Sequence, residues 1–326
     1  MAGEAGMTGT TKREKPCVLL IEPIPSWIVD RARDCFDLIV LPHESERPAD
    51  FLNHVDRIDG IAMPGFAKVD AAMMALMPNL QIVACFGVGF DGADVGYAKE
   101  HGIAVTNTPD VLTDCVADLG MALTLACLRK VVEGDRYVRA GRWVSEGILD
   151  LANSPRGRRM GVVGLGRIGL ALAKRAEVFG MTIAYHNRSK RDDVSYPYYA
   201  SATALAGACD VLVLTCPGGE ATQNLIDGEV LAALGADGYL INIARGSVVD
   251  EAALVQALSE HTIAGAGLDV FAGEPNVPKA LFAFENVVLQ PHQASATVET
   301  RTAMGNLTID NLLAQFQGLP LPNQVA

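Results

Sequence analysis

One stretch of about twenty residues constrains the fold more than any other. An apolar run, Met160–Val163, leads directly into Gly164-Leu165-Gly166-Arg167-Ile168-Gly169. A helical pattern over Ile168–Phe179 comes next, Gly180 ends it, and a second apolar run, Thr182–His186, begins at once. Strand, glycine turn, helix and strand make a complete βαβ unit of a parallel sheet. In such a unit the three glycines have different tasks. Gly164 permits the tight turn, Gly166 lets backbone approach a pyrophosphate, and Gly169 lets helix and strand pack closely. The helix N-terminus, reached through Leu165, Arg167 and Ile168, offers N–H groups and partial positive charge to an anion.

The same G-x-G-x-x-G spacing occurs again at Gly87-Val88-Gly89-Phe90-Asp91-Gly92. The segment after this copy, Ala93–Glu100, is short and interrupted by Gly96, which disfavours a three-turn helix. These glycines either expose backbone N–H groups to a smaller ligand or only make a turn.

Short aliphatic runs alternate with longer helical patterns along the rest of the chain, the signature of α/β architecture. Strands are expected at Cys17–Glu22, Asp37–Leu41, Gly60–Met63, Leu80–Cys85 and Ala104–Asn107. After a long helical stretch over Val111–Arg139, a second series occurs at Arg159–Val163, Thr182–His186, Val211–Thr215, Gly238–Ile243, Gly265–Asp269 and Val287–Gln290. Thr297–Gln317 reads as a last helix. The length of 326 residues suits two such units. Met1–Lys15 is small and polar and reads as a leader without fixed structure.

Bulk properties remove several functions. A net charge of -12 opposes non-specific nucleic-acid binding. No apolar stretch reaches the roughly 18–20 residues that span a bilayer. The seven cysteines are scattered, with no metal-ligand spacing, and read as free thiols in a reducing cytoplasm.

The end of the second strand of the βαβ unit separates the two dinucleotides. An Asp or Glu there accepts from the ribose hydroxyls and repels a 2′-phosphate. Here the chain runs His186-Asn187-Arg188-Ser189-Lys190-Arg191, with no carboxylate until Asp192. Arg188 can grip a phosphate with two N–H groups and Ser189 can donate one more bond. NADPH is therefore expected, with NADH as the weaker cofactor.

Three later segments each place polar residues just beyond an expected strand: Asn242-Ile243-Ala244-Arg245-Gly246, Asp269-Val270-Phe271-Ala272-Gly273-Glu274-Pro275, and Gln290-Pro291-His292-Gln293-Ala294. Together with Gly164–Gly169 they resemble the signatures of the D-2-hydroxyacid dehydrogenase family, most closely its glyoxylate/hydroxypyruvate reductase branch. The likeness runs from about Cys17 to Asp310.

The resemblance implies two flavodoxin/Rossmann-like doubly wound parallel-sheet domains with the active site in the cleft between them. Residues 16–107 with 296–326 would form a discontinuous substrate-binding domain, and 108–295 the dinucleotide-binding domain. It implies that Arg245 holds the substrate carboxylate and polarises the ketone, and that His292 gives a proton to the developing alkoxide. Glu274 would fix the histidine tautomer and favour the imidazolium. Val88 and Gly89 would bind the substrate carboxylate through their N–H groups, and Phe66 would line the pocket. Asp269 and the backbone at Ile243 or Ala244 would meet the nicotinamide carboxamide. Cys216, Pro217 and Thr222 would lie along the cofactor, Cys216 without acting as a nucleophile. Gln293 departs from the Ile common in relatives at that position.

The implied reaction is the reduction of a small 2-keto acid to the D-2-hydroxy acid. Other readings are an NAD-linked D-lactate or aromatic 2-keto-acid reductase and, in a different class, a dinucleotide-gated corepressor-like scaffold. Relatives are mostly homodimers. The Val111–Arg139 stretch and Gly141-Arg142-Trp143 resemble their dimer arm, although Trp143 also reads as a core residue.

Overall fold

The computed structural model describes residues 14–41 and 51–326. The expected leader therefore lies outside the described residues apart from Glu14 and Lys15. The chain divides into two compact units. One runs up to Pro109 and takes in Thr302–Ala326; the other is Asp110–Arg301.

The first unit carries strands β1 (Cys17–Ile21), β2 (Asp37–Leu41), β3 (Gly60–Pro64), β4 (Ile82–Phe86) and β5 (Ala104–Thr106). They form a parallel sheet in the order β2-β1-β3-β4-β5, the flavodoxin arrangement. β1, β3, β4 and β5 are buried along their whole length, as strands covered by helices on both faces must be. The helix Val298–Phe316 returns to this unit with its later turns. Gly305 has no room for a side chain, since a Cβ there would lie 2.4–2.7 Å from three atoms of Ile28. Phe316 meets Phe36 edge-on at 6.0 Å between ring centroids. Beyond the helix, the C-terminal residues add to the free edge of β5: Val325 N–H donates to Val105 O at 2.8 Å, and Val105 N–H to Ala326 O at 2.8 Å.

The second unit carries β6 (Arg159–Val163), β7 (Thr182–His186), β8 (Tyr198–Tyr199), β9 (Val211–Leu214), β10 (Tyr239–Asn242), β11 (Gly265–Leu268) and β12 (Val287–Leu289). All pairings are parallel, in the order β12-β11-β10-β9-β6-β7-β8. This is the Rossmann order extended by one strand, and strand order reverses between β6 and β9. In open parallel sheets ligands bind beyond the strand C-termini at that reversal. Every expected strand is present; the two-residue β8 was too short to leave a pattern in the sequence.

Two expectations need correction. The helical stretch over Val111–Arg139 is two helices, Thr113–Leu128 and Val131–Arg139. The chain turns between them at Lys130, whose φ of 52° is left-handed. No glycine or proline marks that turn, so the apolar pattern reads straight through it. Trp143 is not a core residue: it is 63% exposed, on a short helix Arg142–Glu146.

Candidate active site in the second unit

The glycine turn after β6 has the three-part geometry its spacing predicts. Gly164 has a φ of 96°, and a Cβ there would lie 2.6 Å from the Cys216 backbone. A Cβ on Gly169 would lie 2.7 Å from Gly164 O and 2.8 Å from Thr215 Oγ1, so only glycine lets the helix sit this close. A Cβ on Gly166 would meet nothing within 4 Å, which leaves open space over the turn. Gly166 begins the twelve-residue helix Arg167–Val178 without any side-chain cap. The first-turn N–H groups of such a helix have no intrahelical acceptor, so they favour an anion there. The cradle fits a dinucleotide pyrophosphate.

Neighbouring loops lock this turn. Thr215 Oγ1 donates to Gly164 O at 2.7 Å. Asn187 Oδ1 accepts from Leu165 N–H at 2.6 Å, and Arg191 Nη1 donates to Leu165 O at 2.6 Å. Both backbone groups of Leu165 are thus engaged by the segment after β7. Arg191 also pairs with Asp193. Arg188 and Ser189 are exposed on the same segment. The Arg167 guanidinium lies 2.9 Å from Asp110. In the loop after β9, Pro217 is exposed and Thr222 Oγ1 donates to Pro217 O at 2.8 Å. The Cys216 thiol is buried, and burial pushes its pKa up to about 11, so it is no nucleophile at neutral pH.

β10, β11 and β12 are neighbours in register, so the three polar segments leave the same edge of the sheet side by side. The buried Asn242 side chain folds the first of them: its Nδ2 donates to Arg245 O at 3.0 Å and its Oδ1 accepts from Ala244 N–H at 3.0 Å. Ile243 is buried at the end of β10. Gly246 then presses on the second segment; a Cβ there would overlap the Phe271 carbonyl carbon. Glu251 adds a further tie, accepting from Ala272 N–H at 2.9 Å.

The third segment is held by Asp269, which is fully buried. Its Oδ1 accepts from Gln293 N–H at 2.6 Å and its Oδ2 from Ala294 N–H at 3.0 Å. Its own carbonyl accepts from His292 N–H at 2.8 Å. These bonds hold His292 in left-handed backbone, φ 55°, a conformation that costs a non-glycine residue energy and persists only where neighbours enforce it. Burial raises the Asp269 carboxyl pKa above its ordinary value against the pull of the two N–H groups. Gln293 contributes its N–H to this anchor while its side chain is exposed.

So placed, His292 Nδ1 lies 2.7 Å from Glu274 Oε2. Glu274 Oε1 accepts from Phe271 N–H at 2.8 Å, which fixes the carboxylate in its loop. Burial pushes the Glu274 carboxyl up, but the bond to His292, the charge of that ring, the Phe271 N–H and the charge of Arg245 together leave its pKa below the ordinary value. Arg245 Nη1 donates to Ala244 O at 2.7 Å, and its charge bears on both Glu274 and Cys216. An imidazole with a carboxylate on Nδ1 can exchange a proton through Nε2, and a nearby guanidinium can stabilise an oxyanion or a carboxylate.

Among the expected site residues, Arg245, Glu274, His292 and Asp269 come together here, and Gly164–Gly169 with Cys216 flank the strand-order reversal. Val88, Gly89 and Phe66 belong to the first unit, in loops after β4 and β3. The sequence reading missed Asn187, Arg191, Thr215, Asn242 and Glu251. All but Glu251, which opens the helix Glu251–Ser259, stand at or within a few residues of a strand end, the one signal that could have found them. Among the described residues, no cluster of three or more His, Cys, Asp or Glu side chains is arranged to hold a metal.

Comparison with known proteins agrees with this geometry. The family model for the D-isomer specific 2-hydroxyacid dehydrogenase NAD binding domain matches residues 121–294. A glyoxylate/hydroxypyruvate reductase A of Arabidopsis thaliana is 46% identical over 304 residues, covering 93% of this chain and 97% of its own. A hydroxyphenylpyruvate reductase of Plectranthus scutellarioides is 51% identical over 255 residues, 78% of this chain and 81% of its own. An NADPH-dependent glyoxylate/hydroxypyruvate reductase from Sinorhizobium meliloti, crystallised with NADP and malonate, superposes with a TM-score of 0.88 at 46% identity, over 96% of this chain and 97% of that one.

The Gly246 contact yields a test. Gly246→Ala is expected to separate the Arg245 and Glu274 segments and to lower keto-acid turnover at least tenfold, with about 1–3 kcal/mol lost in stability from overpacking. Steady-state rates and thermal melts of the variant check both.

Proposed function

The chain belongs to the D-isomer-specific 2-hydroxyacid dehydrogenase family, and from that premise we propose that it reduces a small 2-keto acid of the glyoxylate/hydroxypyruvate type to the D-2-hydroxy acid with NADPH. The observation that carries the reading is the 2.7 Å His292–Glu274 pair beside Arg245 on adjacent strand ends. Bound nicotinamide dinucleotide supplies the hydride. Arg245 holds the substrate and stabilises negative charge on the ketone oxygen, and imidazolium His292 gives that oxygen its proton. Glu274 stays ionised because its pKa is depressed, and so favours the charged ring. Val88 and Gly89 donate N–H groups to the substrate carboxylate, and Phe66 lines the pocket. Asp269 anchors the histidine loop, and its assignment to the carboxamide, with Ile243, belongs to the same proposal.

NADPH is supported by the exposed Arg188 and Ser189 on a segment that carries no carboxylate before Asp192. The Sinorhizobium meliloti relative is itself NADPH-dependent. The 51% identity to a hydroxyphenylpyruvate reductase favours an aromatic 2-keto acid as the second reading. A homodimer is supported by an exposed apolar run in the second unit, Trp143 at 63%, Val144 at 96%, Ile148 at 88% and Leu151 at 94% exposure. Among the described residues no helix is long and apolar enough to cross a membrane.

A steady-state panel tests the reading by crossing glyoxylate, hydroxypyruvate, pyruvate and phenylpyruvate with NADPH and NADH. Glyoxylate or hydroxypyruvate with NADPH is expected to give the highest kcat/KM; no turnover with any pair would sink the enzymatic assignment. Arg188→Ala is expected to weaken NADPH by about 1–3 kcal/mol and leave NADH unchanged. Equal losses would remove Arg188 from phosphate recognition.

Glu274 also predicts a pH effect. Its folded pKa is depressed below 4.5, so its stabilising contribution is present above the ordinary carboxylate range and is lost as pH falls through the folded value. At neutral pH it therefore favours the imidazolium. In Glu274→Gln, the alkaline fall of kcat/KM for reduction is expected to move to lower pH; an unmoved profile would separate Glu274 from the proton step. For the dimer, sedimentation is expected to return twice the chain mass, and a monomer would overturn it.

A further inference from the structure

The glycine loop of the first unit has a feature its motif does not explain. Gly87 O accepts from Thr108 N–H at 2.8 Å, and Val88 O accepts from Asn107 Nδ2 at 2.9 Å. Both peptide bonds are trans, the cis bonds among the described residues being Glu22-Pro23 and Glu274-Pro275. In a trans peptide the carbonyl of one residue and the N–H of the next share a plane and point opposite ways. Holding Gly87 O therefore aims Val88 N–H, and holding Val88 O aims Gly89 N–H.

We propose that Asn107 and Thr108 are positioning residues that set both carboxylate-binding N–H groups by pinning their peptide planes from behind. This rests on the reading of Val88 and Gly89 as the carboxylate donors. The pins sit on a braced support. They come directly after β5, which pairs with β4 through Ala84 and Thr106, so they face the loop that leaves β4. Asn107 N–H donates to Asn323 O at 3.3 Å, and the tail beyond it is bonded to Val105. On its other side the loop rests on Gly65, where a Cβ would overlap Gly89 O. Two donors aimed in advance lose less orientational freedom when an anion binds, so the effect is read in substrate affinity.

Asn107→Leu keeps the branched four-atom skeleton, with somewhat more bulk, and cannot donate. It is expected to raise KM for glyoxylate and the inhibition constant of oxalate by about tenfold each, the scale of one weakened charge-assisted bond. Its kcat should fall less than threefold and its KM for NADPH should stay within twofold. Asn107→Asp, isosteric and also unable to donate to Val88 O, is expected to exceed that rise and serves if the leucine variant does not fold. Val88→Pro deletes one donor and tests the parent reading separately. If Val88→Pro raises both constants and the Asn107 variants leave them unchanged, the positioning role is overturned. If none of the variants moves them, the carboxylate assignment falls and this inference with it. Equal losses in kcat, NADPH affinity and melting temperature would mark Asn107 as merely structural and also overturn it.

Discussion

The buried carboxylate of Asp269 is the constraint on which the catalytic geometry depends. An ionised group with no exposed surface is costly unless hydrogen-bonded, and here each oxygen receives a backbone N–H from the two residues after His292. The loop must therefore wrap the carboxylate closely, which drives His292 into left-handed backbone and sends its ring toward Glu274. The strain at one residue is enforced by satisfying a charge that would otherwise be stranded. Glu274 is tethered in turn by Phe271 N–H, and Phe271 is the residue against which Gly246 packs. Arg245, Glu274 and His292 are thus linked mainly through backbone, which varies less in position than a chain of flexible side chains.

The coenzyme half of the site uses the same economy. Thr215, Asn187 and Arg191 bind the backbone of the Gly164–Gly166 turn, not its side chains. The turn is held before any ligand arrives, and the space over Gly166 stays open. Because Arg191 is held by Leu165 O and Asp193, the exposed cations of that segment are Arg188, two residues past the end of β7, and Lys190, and of these only Arg188 offers a planar fork to a phosphate.

Much of this was legible in the sequence because it depends on backbone periodicity and on glycine. The strands showed as apolar runs. The two G-x-G-x-x-G copies were told apart by the helix after each, twelve residues long for one and six residues, Val95–Glu100, for the other. The polar residues past β10, β11 and β12 stood out for their position. Two kinds of feature stayed hidden. The turn at Lys130 breaks a helix without any breaker residue, and the exposed Trp143 sits in a segment whose apolar character suits either a core or an outer face. The ties made by Asn187, Thr215 and Asn242 are side chain to backbone; those of Asn187 and Thr215 cross to elements distant in sequence, and no spacing rule encodes them.

The burial of the cysteines has a consequence for chemical durability. Cys85, Cys127 and Cys209 are pushed up to about 12 and Cys216 to about 11, all chiefly by burial. At neutral pH a thiol of that kind is ionised in only about one molecule in ten thousand or fewer. Since peroxides and alkylating agents attack the thiolate, these four sulfurs are chemically quiet while the chain is folded. The cysteine nearest the coenzyme turn thus serves as a small packing residue, and the folded protein carries its own shield against oxidants that would reach the same sulfurs in an unfolded chain.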